Sequence, residues 1–291
     1  MTRYLGKRVL EAAAVLIAAL TLAFVLVRLS GDPTHMILPP DATESARMDL
    51  RRSLGLDRPL AAQYVDFVVN ARRGDFGKSY FADRSVKAII MDHLPQTALL
   101  AGTAVLLGVL VALPLGATSA IRRGAAIDRL AQSFSLAGYS MPAFWSGIVL
   151  IQVFGVTLGW LPTFGSGSLA HLVLPAVNLT FWSSARLSRL TRSAMIEVLK
   201  EDYIRTARSK GLAETVVYAH ALRNALLPVV TLIGIEIGVL LGGAVLTESV
   251  FAWPGIGWLA LRSISRRDFP VVQGIVGDVA FIFVIINLAT D

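Results

Sequence analysis

The sequence predicts an all-α polytopic membrane protein with about six transmembrane helices. Three observations carry this. The chain of 291 residues is 55% hydrophobic and only 16% charged, whereas soluble domains run near a quarter charged. Its mean hydropathy is +0.64, which suits a chain whose solvent is largely lipid. Apolar runs recur at the length a bilayer demands, about 20 residues per helix.

The first run, "VLEAAAVLIAALTLAFVLVRL", covers Val9 to Leu29. Its apolar part is too long for a signal-peptide core and no small-x-small cleavage site follows, so it reads as a retained anchor. Further runs cover Pro95 to Ala120, Leu130 to Trp160, Leu172 to Leu190, Leu226 to Leu246 and Phe269 to Leu288. Residues 1–94 therefore read as one helix plus an external segment, and residues 95–291 as a core with five helices. Pro114, Pro142, Pro175 and Pro228 punctuate the runs and read as kinks, tolerated where neighbours satisfy the freed backbone.

Orientation follows from short-loop charge. Arg3, Lys7 and Arg8 precede the first run, and Arg122, Arg123 and Arg129 separate the second from the third. Arg192, Lys200, Arg205, Arg208, Lys210 and Arg223 separate the fourth from the fifth, while residues 161–171 carry no Lys or Arg. Both termini and the long basic loop are expected in the cytoplasm, with Ser30 to Leu94 outside. Arg262, Arg266 and Arg267 in the last external loop weaken this bias without reversing it.

Several chemistries are excluded. The formal charge of +7 does not read as nucleic-acid binding, because aromatics do not interleave with the basic residues. The absence of cysteine removes disulfides, thiolate metal sites and Cys nucleophiles. "RRGDFGKSY", Arg72 to Tyr80, holds the Gly-Lys-Ser end of a phosphate loop. The loop needs a glycine five residues before Gly77 so that backbone amides can wrap phosphate, and Arg72 stands there. Asp75-Phe76-Gly77 lacks the catalytic loop of a kinase. The stretch reads as an external turn allowed by Gly74 and Gly77. "GYSM", Gly138 to Met141, resembles the serine turn of rhomboid proteases, which needs a histidine base. His35, His93, His171 and His220 all fall in loops or at helix ends, so Ser140 reads as a packing serine.

The informative stretch is "EDYIRTARSKGLAETVVYAHALRNALLP", Glu201 to Pro228. Asp202 is a good N-cap and Gly211 a good C′ residue, enclosing a short helix over Tyr203 to Lys210. Tyr203, Ile204 and Ala207 can share one face, with Arg205, Arg208 and Lys210 around it. A helix this short is marginal alone in water and wants a partner surface. The plain alternative is a solvated basic loop that enforces topology.

This run resembles the cytoplasmic motif of ABC importer permeases: Glu-Ala-Ala, three residues, Gly, and a later Leu-Pro. Gly211, Ala207 and Leu227-Pro228 match, while Arg205-Thr206 replaces Glu-Ala. That replacement resembles the dipeptide, oligopeptide, nickel and glutathione branch. "LGLDRPLAAQYVDFV", "GDFGKSY", "HLPQTALLA", "SMPAFWSGIVL" and "GGAVLTESVFAWPGIGWLALRSISRRDFPVVQG" are similar to that branch in the same order. The resemblance implies the type I ABC importer permease fold in a bacterial inner membrane. It implies that Tyr203, Ile204, Arg205, Thr206, Ala207, Arg208, Lys210 and Gly211 form a coupling helix that docks on an ATPase. It further implies a second homologous permease subunit, two cytoplasmic ABC ATPases that bind the ATP and Mg, an external solute-binding protein, and no cofactor or catalytic residue in this chain. The family continues past the sixth helix with a basic tail, whereas this chain stops at Thr290-Asp291.

Ionisable groups inside spans usually face a pathway. Glu236 and Asp278 are candidates and would suit zwitterionic or cationic solutes. Asn178, Thr180, Ser183 and Ser184 are candidate lining groups, and Glu248, which matches a glutamate usual in the branch, a candidate for the external gate. Peptide is the expected solute class, with nickel and glutathione open; few His and no Cys give no dedicated nickel cage. The alternative is a self-contained secondary transporter or channel, which would show an inverted repeat; loop lengths here are too uneven for one.

Overall fold

The structure is a computed structural model that describes residues 2–39, 41–242 and 244–290. The side chain of Arg3, read above as a cytoplasmic charge, and residue Asp291 lie outside the described residues. In chain order the helices are α1 (Thr2–Leu29), α2 (Thr34–Ile37), α3 (Glu44–Ser53), α4 (Leu60–Ala71), α5 (Val86–Ile121), α6 (Ala126–Ser140) and α7 (Ala143–Leu150). α7 runs on as a π-helical turn, Ile151–Thr157. There follow α8 (Leu169–Val198), α9 (Asp202–Ser209), α10 (Glu214–Leu241), α11 (Val245–Val250), α12 (Ile256–Arg266) and α13 (Phe269–Thr290).

Among the described residues, four helices are long and apolar enough to cross a membrane: α1 from Gly6, α5, α10 and α13. The expected third span, Leu130 to Trp160, is not one helix. α6 and α7 meet at 104°, because Pro142 forces the preceding Met141 out of the helical region, to φ −86° and ψ 125°. As one bent unit the pair makes a fifth span. The expected fourth span, α8, has 30 residues, but Arg186, Arg189 and Arg192 in its second half lower its hydropathy below that of the others. Pro95 and Pro114 lie inside an unbroken α5. α10 already starts at Glu214 and ends at Leu241, so Leu246 falls on the separate helix α11.

α5 and α8 form the central pair. They approach through small residues: a Cβ on Gly116 would lie 2.6 Å from the Ser188 carbonyl oxygen. α6 closes on α8 in the same way, where a Cβ on Gly138 would lie 2.3 Å from that of Ala185. Close backbone approach replaces the hydrophobic driving force that lipid cannot supply. α10 and α13 complete the bundle, and α1 lies along α13.

One end of the bundle carries α9 and the other α11 and α12. At the α12 end, "GDFGKSY" is a turn. Gly74 and Gly77 take φ of 68° and 80°, and Asp75 Oδ1 accepts the Gly77 N–H at 2.9 Å. Phe76 packs on Gly274 and Gly277 of α13. Asp268 then accepts bonds from Ser79 Oγ and, at 3.1 Å, from the Tyr80 N–H. Phe24, Tyr64, Phe67 and Phe76 form a ladder of rings with centroids 5.3 to 6.3 Å apart, joining α1, α4 and the turn.

The buried Asp268 carboxylate ties the turn to the start of α13, so Asp268→Ala should leave the Ser79 and Tyr80 donors unpaired at a cost of about 2 kcal/mol. Limited proteolysis of the purified protein should cut faster between Gly74 and Arg84 in the variant. Unchanged cleavage would refute the anchoring role.

Candidate functional site

α9 begins one residue earlier than the sequence suggested. Glu201, not Asp202, holds the N-cap position, in extended conformation and without a side-chain cap bond. Asp202 instead sits in the first turn, where it accepts Arg205 Nη1 at 3.1 Å, a favourable place for an acid beside the helix dipole. The C-terminus is a Schellman motif: Gly211 N–H bonds to the Arg208 carbonyl at 2.9 Å and Leu212 N–H to that of Ala207 at 3.3 Å. Gly211 has φ 78°, a conformation that costs a residue with a Cβ about 1 kcal/mol.

The apolar face of α9 is spent within the chain. Ile204 is fully buried against Met195 of α8 and Val217, Ala221 and Ala225 of α10, with Ala207 packed at its margin. Two polar ties reinforce the seat. Arg208 donates to both Glu214 oxygens, at 2.8 and 3.2 Å, and this contact raises its pKa. Asn224 Nδ2 donates to the Tyr203 hydroxyl at 2.6 Å, so Tyr203 is half-exposed rather than part of the packed face. Arg205, Thr206, Ser209 and Lys210 remain exposed. The arrangement fixes α9 rigidly to the end of α10 and turns a hydroxyl-bearing basic face outward.

The expected lining groups are mostly inside the chain's own packing. Asn178 is buried and bridges the α6–α7 break: its amide donates to the Ala143 carbonyl (3.1 Å) and Thr247 Oγ1 (3.0 Å), and its oxygen accepts Ser146 Oγ (2.6 Å). Ser183 is fully buried at the α5–α8 contact, 3.3 Å from where a Gly108 Cβ would stand. Ser184 donates to the Phe181 carbonyl, and Thr180 to that of Ala104. Asp278 faces a cavity of about 570 Å³ between α1, α5 and α13, whose walls include Leu16, Leu20, Lys87 and Phe281.

Glu248 is fully buried within the chain's own packing on α11. Its Oε1 accepts Thr97 Oγ1 at 2.8 Å, and its Oε2 accepts the N–H groups of Gly257 and Trp258 at 2.8 and 3.0 Å. Thr97 Oγ1 accepts the Ile256 N–H at 2.8 Å. The open amides of the first turn of α12 are thus capped from α5 and α11, since the N-cap residue Gly255 has no side chain to do it. Burial pushes the Glu248 carboxyl up while these hydrogen bonds pull it down, and the net shift is upward.

Glu236 is also fully buried, but it leads outward. Arg186 Nη1 lies 2.8 Å from its Oε1, an ion pair outside hydrogen-bond geometry. The Arg186 side chain is 29% exposed and lies 5.0 Å from the Trp182 ring centre. Arg189 is exposed, 5.5 Å from the Tyr139 ring centre on α6. Trp182, Arg186, Arg189 and Ser193 repeat at helical spacing along one face of α8. The sequence reading missed this face. Its signal was there: arginines three apart inside a run long enough to span a bilayer.

A bundle of membrane-length helices, an amphipathic helix clamped at one end and a polar strip on its central helix define a membrane permease subunit. Residues 112–291 match the family model of the binding-protein-dependent transport system inner membrane component. Residues 1–101 match the N-terminal model of the same membrane components. The chain belongs to this family of ABC importer permeases and is a multi-pass protein of the bacterial inner membrane. It is 41% identical over 293 aligned residues to the glutathione transport system permease protein GsiC of Salmonella typhimurium, covering 100% of this chain and 96% of the relative. The same identity and coverage hold for GsiC of Escherichia coli K12. Among solved structures, the MetNI methionine ABC transporter in an inward-facing conformation aligns with TM-score 0.56 and 18% identity, over 70% of this chain and 94% of that one. An amino acid ABC transporter with histidines aligns with TM-score 0.53 and 19% identity, over 70% and 90%. The fold is that of ABC importer permeases.

Gly255 must be glycine for a reason of space: a Cβ there would lie 2.3 to 2.5 Å from the Glu248 carboxyl atoms. Gly255→Ala should lower the thermal midpoint of the detergent-solubilised protein by several degrees. Glu248→Ala should do so as strongly, by stranding three donors at about 1 to 3 kcal/mol each. The double variant should lose no more than Glu248→Ala alone: the two losses should be strongly non-additive, because both act on one cap and removing the carboxyl removes the clash. Additive losses would separate the two residues.

Proposed function

We propose that this chain is one half of the translocation passage of an ATP-driven importer for peptides or a related small solute. Two cytoplasmic ATPases bind the ATP and Mg, a second homologous permease completes the passage, and an external binding protein delivers the solute. Both termini and α9 lie on the cytoplasmic side in this reading, as the short-loop charge bias requires. Glutathione, a tripeptide, is the favoured solute, because relatives 41% identical over the full chain carry that name.

The observation that carries the reading is the divided face of α9. Its apolar side is bound to α8 and α10, so a displacement of α9 must move a membrane helix. Its exposed side, Arg205, Thr206, Ser209 and Lys210, is free for a partner. A lever needs both. Docking shifts the population between outward- and inward-facing states only if the ATPases bind α9 more tightly in one of them. Within the passage, the α8 face is the stronger lining candidate. Arg186 and Arg189 on a membrane helix are costly against lipid and stable against water.

Purification of the tagged chain from native membranes in mild detergent tests the assembly. A second permease and ATPases should co-purify; a chain that emerges alone and transports without ATP would overturn the importer reading. Gly211→Asp places a Cβ at φ 78° and a negative charge at a helix C-terminus, both unfavourable. We expect it to abolish uptake in whole cells while membrane insertion, read by immunoblot of the membrane fraction, stays intact. Undiminished uptake would count against α9 as the coupling element.

A further inference from the structure

We propose that the cavity between α6 and α8 is a station on the solute's way to the cytoplasm, and that Arg189 there receives a carboxylate of an anionic solute. This rests on the permease reading and adds the charge class of what passes. The cavity measures about 570 Å³; Ala131 and Leu136 form part of its wall, and the rest is Ser119, Gln132, Ser133, Ser135, Ser188 and Ser193, together with Arg189 and Arg192. Such a wall on membrane helices is hostile to acyl chains, which offer no hydrogen bonds to six neutral polar side chains and two guanidinium groups. It belongs to water and to a polar solute.

The charges in it are unequal. Arg192 is neutralised, with Nε and Nη2 on the two Asp128 oxygens at 2.7 and 3.0 Å and a further bond from Nε to Ser119. Arg186, a turn further along the same face, is balanced by Glu236. Arg189 has only the Tyr139 ring beside it and no carboxylate partner among the described residues. The cavity therefore presents one uncompensated positive charge, with a planar fork suited to a carboxylate. Sequence alone suggested a different charge class: Glu236 and Asp278 suited zwitterionic or cationic solutes. The fold removes both, one by pairing it and the other by turning it toward α1 and α13.

The chain has no cysteine, so Ser193→Cys creates its sole thiol. The permease complex is prepared in inside-out vesicles and treated with methanethiosulfonates of similar size, one bearing a sulfonate and one a trimethylammonium. Labelling of this chain is followed by gel shift, with Ser209→Cys on the exposed side of α9 as reference. We expect the sulfonate reagent to be favoured at Ser193→Cys by about tenfold over the reference ratio, as a single nearby charge warrants. Arg189→Gln should abolish the preference and Arg189→Lys retain it. No labelling at position 193, or a preference indifferent to Arg189→Gln, would overturn the proposal. Co-purification of ATPases is scored separately. Anion preference without ATPases would sink the importer reading and leave the site standing, whereas ATPases without the preference would sink the site alone.

Discussion

The structure depends on backbone groups that lipid cannot satisfy. Wherever a helix breaks in this bundle, a side chain from another helix must complete the hydrogen bonding. The clearest case is the Glu248 carboxylate, which takes Thr97 and two amides of α12 at once. Three elements far apart in sequence converge on it, and Gly255 stays bare so that it fits. Asn178 does the same at the break after Ser140, accepting Ser146 and donating to the Ala143 carbonyl and to Thr247 on α11. The two joints share α11, so the bent α6–α7 unit and the α12 end are held by one connected polar set.

The α9 end is built on the opposite principle. There the joint is apolar, Ile204 inserted among alanines and valines of α8 and α10, with ion-paired and hydrogen-bonded ties at its edge. A short helix marginal by itself becomes a fixed projection of a membrane helix. Between the two ends runs α8, packed by small residues on one side and polar on the other. The same helix thus serves as the bundle's spine and as the face on which we place the passage.

The legible part of the fold was its periodicity and its punctuation. Apolar runs located the spans to within a few residues at α13, and Gly211 marked the end of α9 because few other residues adopt φ 78° without strain. The run at Leu130 to Trp160 misled because hydropathy does not distinguish one long helix from two short ones meeting at 104°. Pro142 carried that information, but a proline in a span kinks as readily as it breaks, and the neighbours decide which. α10 was read too short because Glu214, His220, Arg223 and Asn224 interrupt its first turns, whose apolar residues Val217 and Ala221 pack on α9 rather than in the membrane layer.

Sequence by itself determined that the chain lives in a membrane, where its apolar runs lie and which short helix stands apart from them. Transfer free energy and backbone conformation are local properties, and local composition reveals them. It also identified which polar residues would be held within apolar surroundings, but not what each one does. Only the tertiary structure decided that Glu248 and Asn178 are joints, that Glu236 is balanced by Arg186, and that Arg189 has no carboxylate partner among the described residues. A buried charge takes its meaning from partners within a few ångströms, and those partners come from helices that the sequence places tens of residues away.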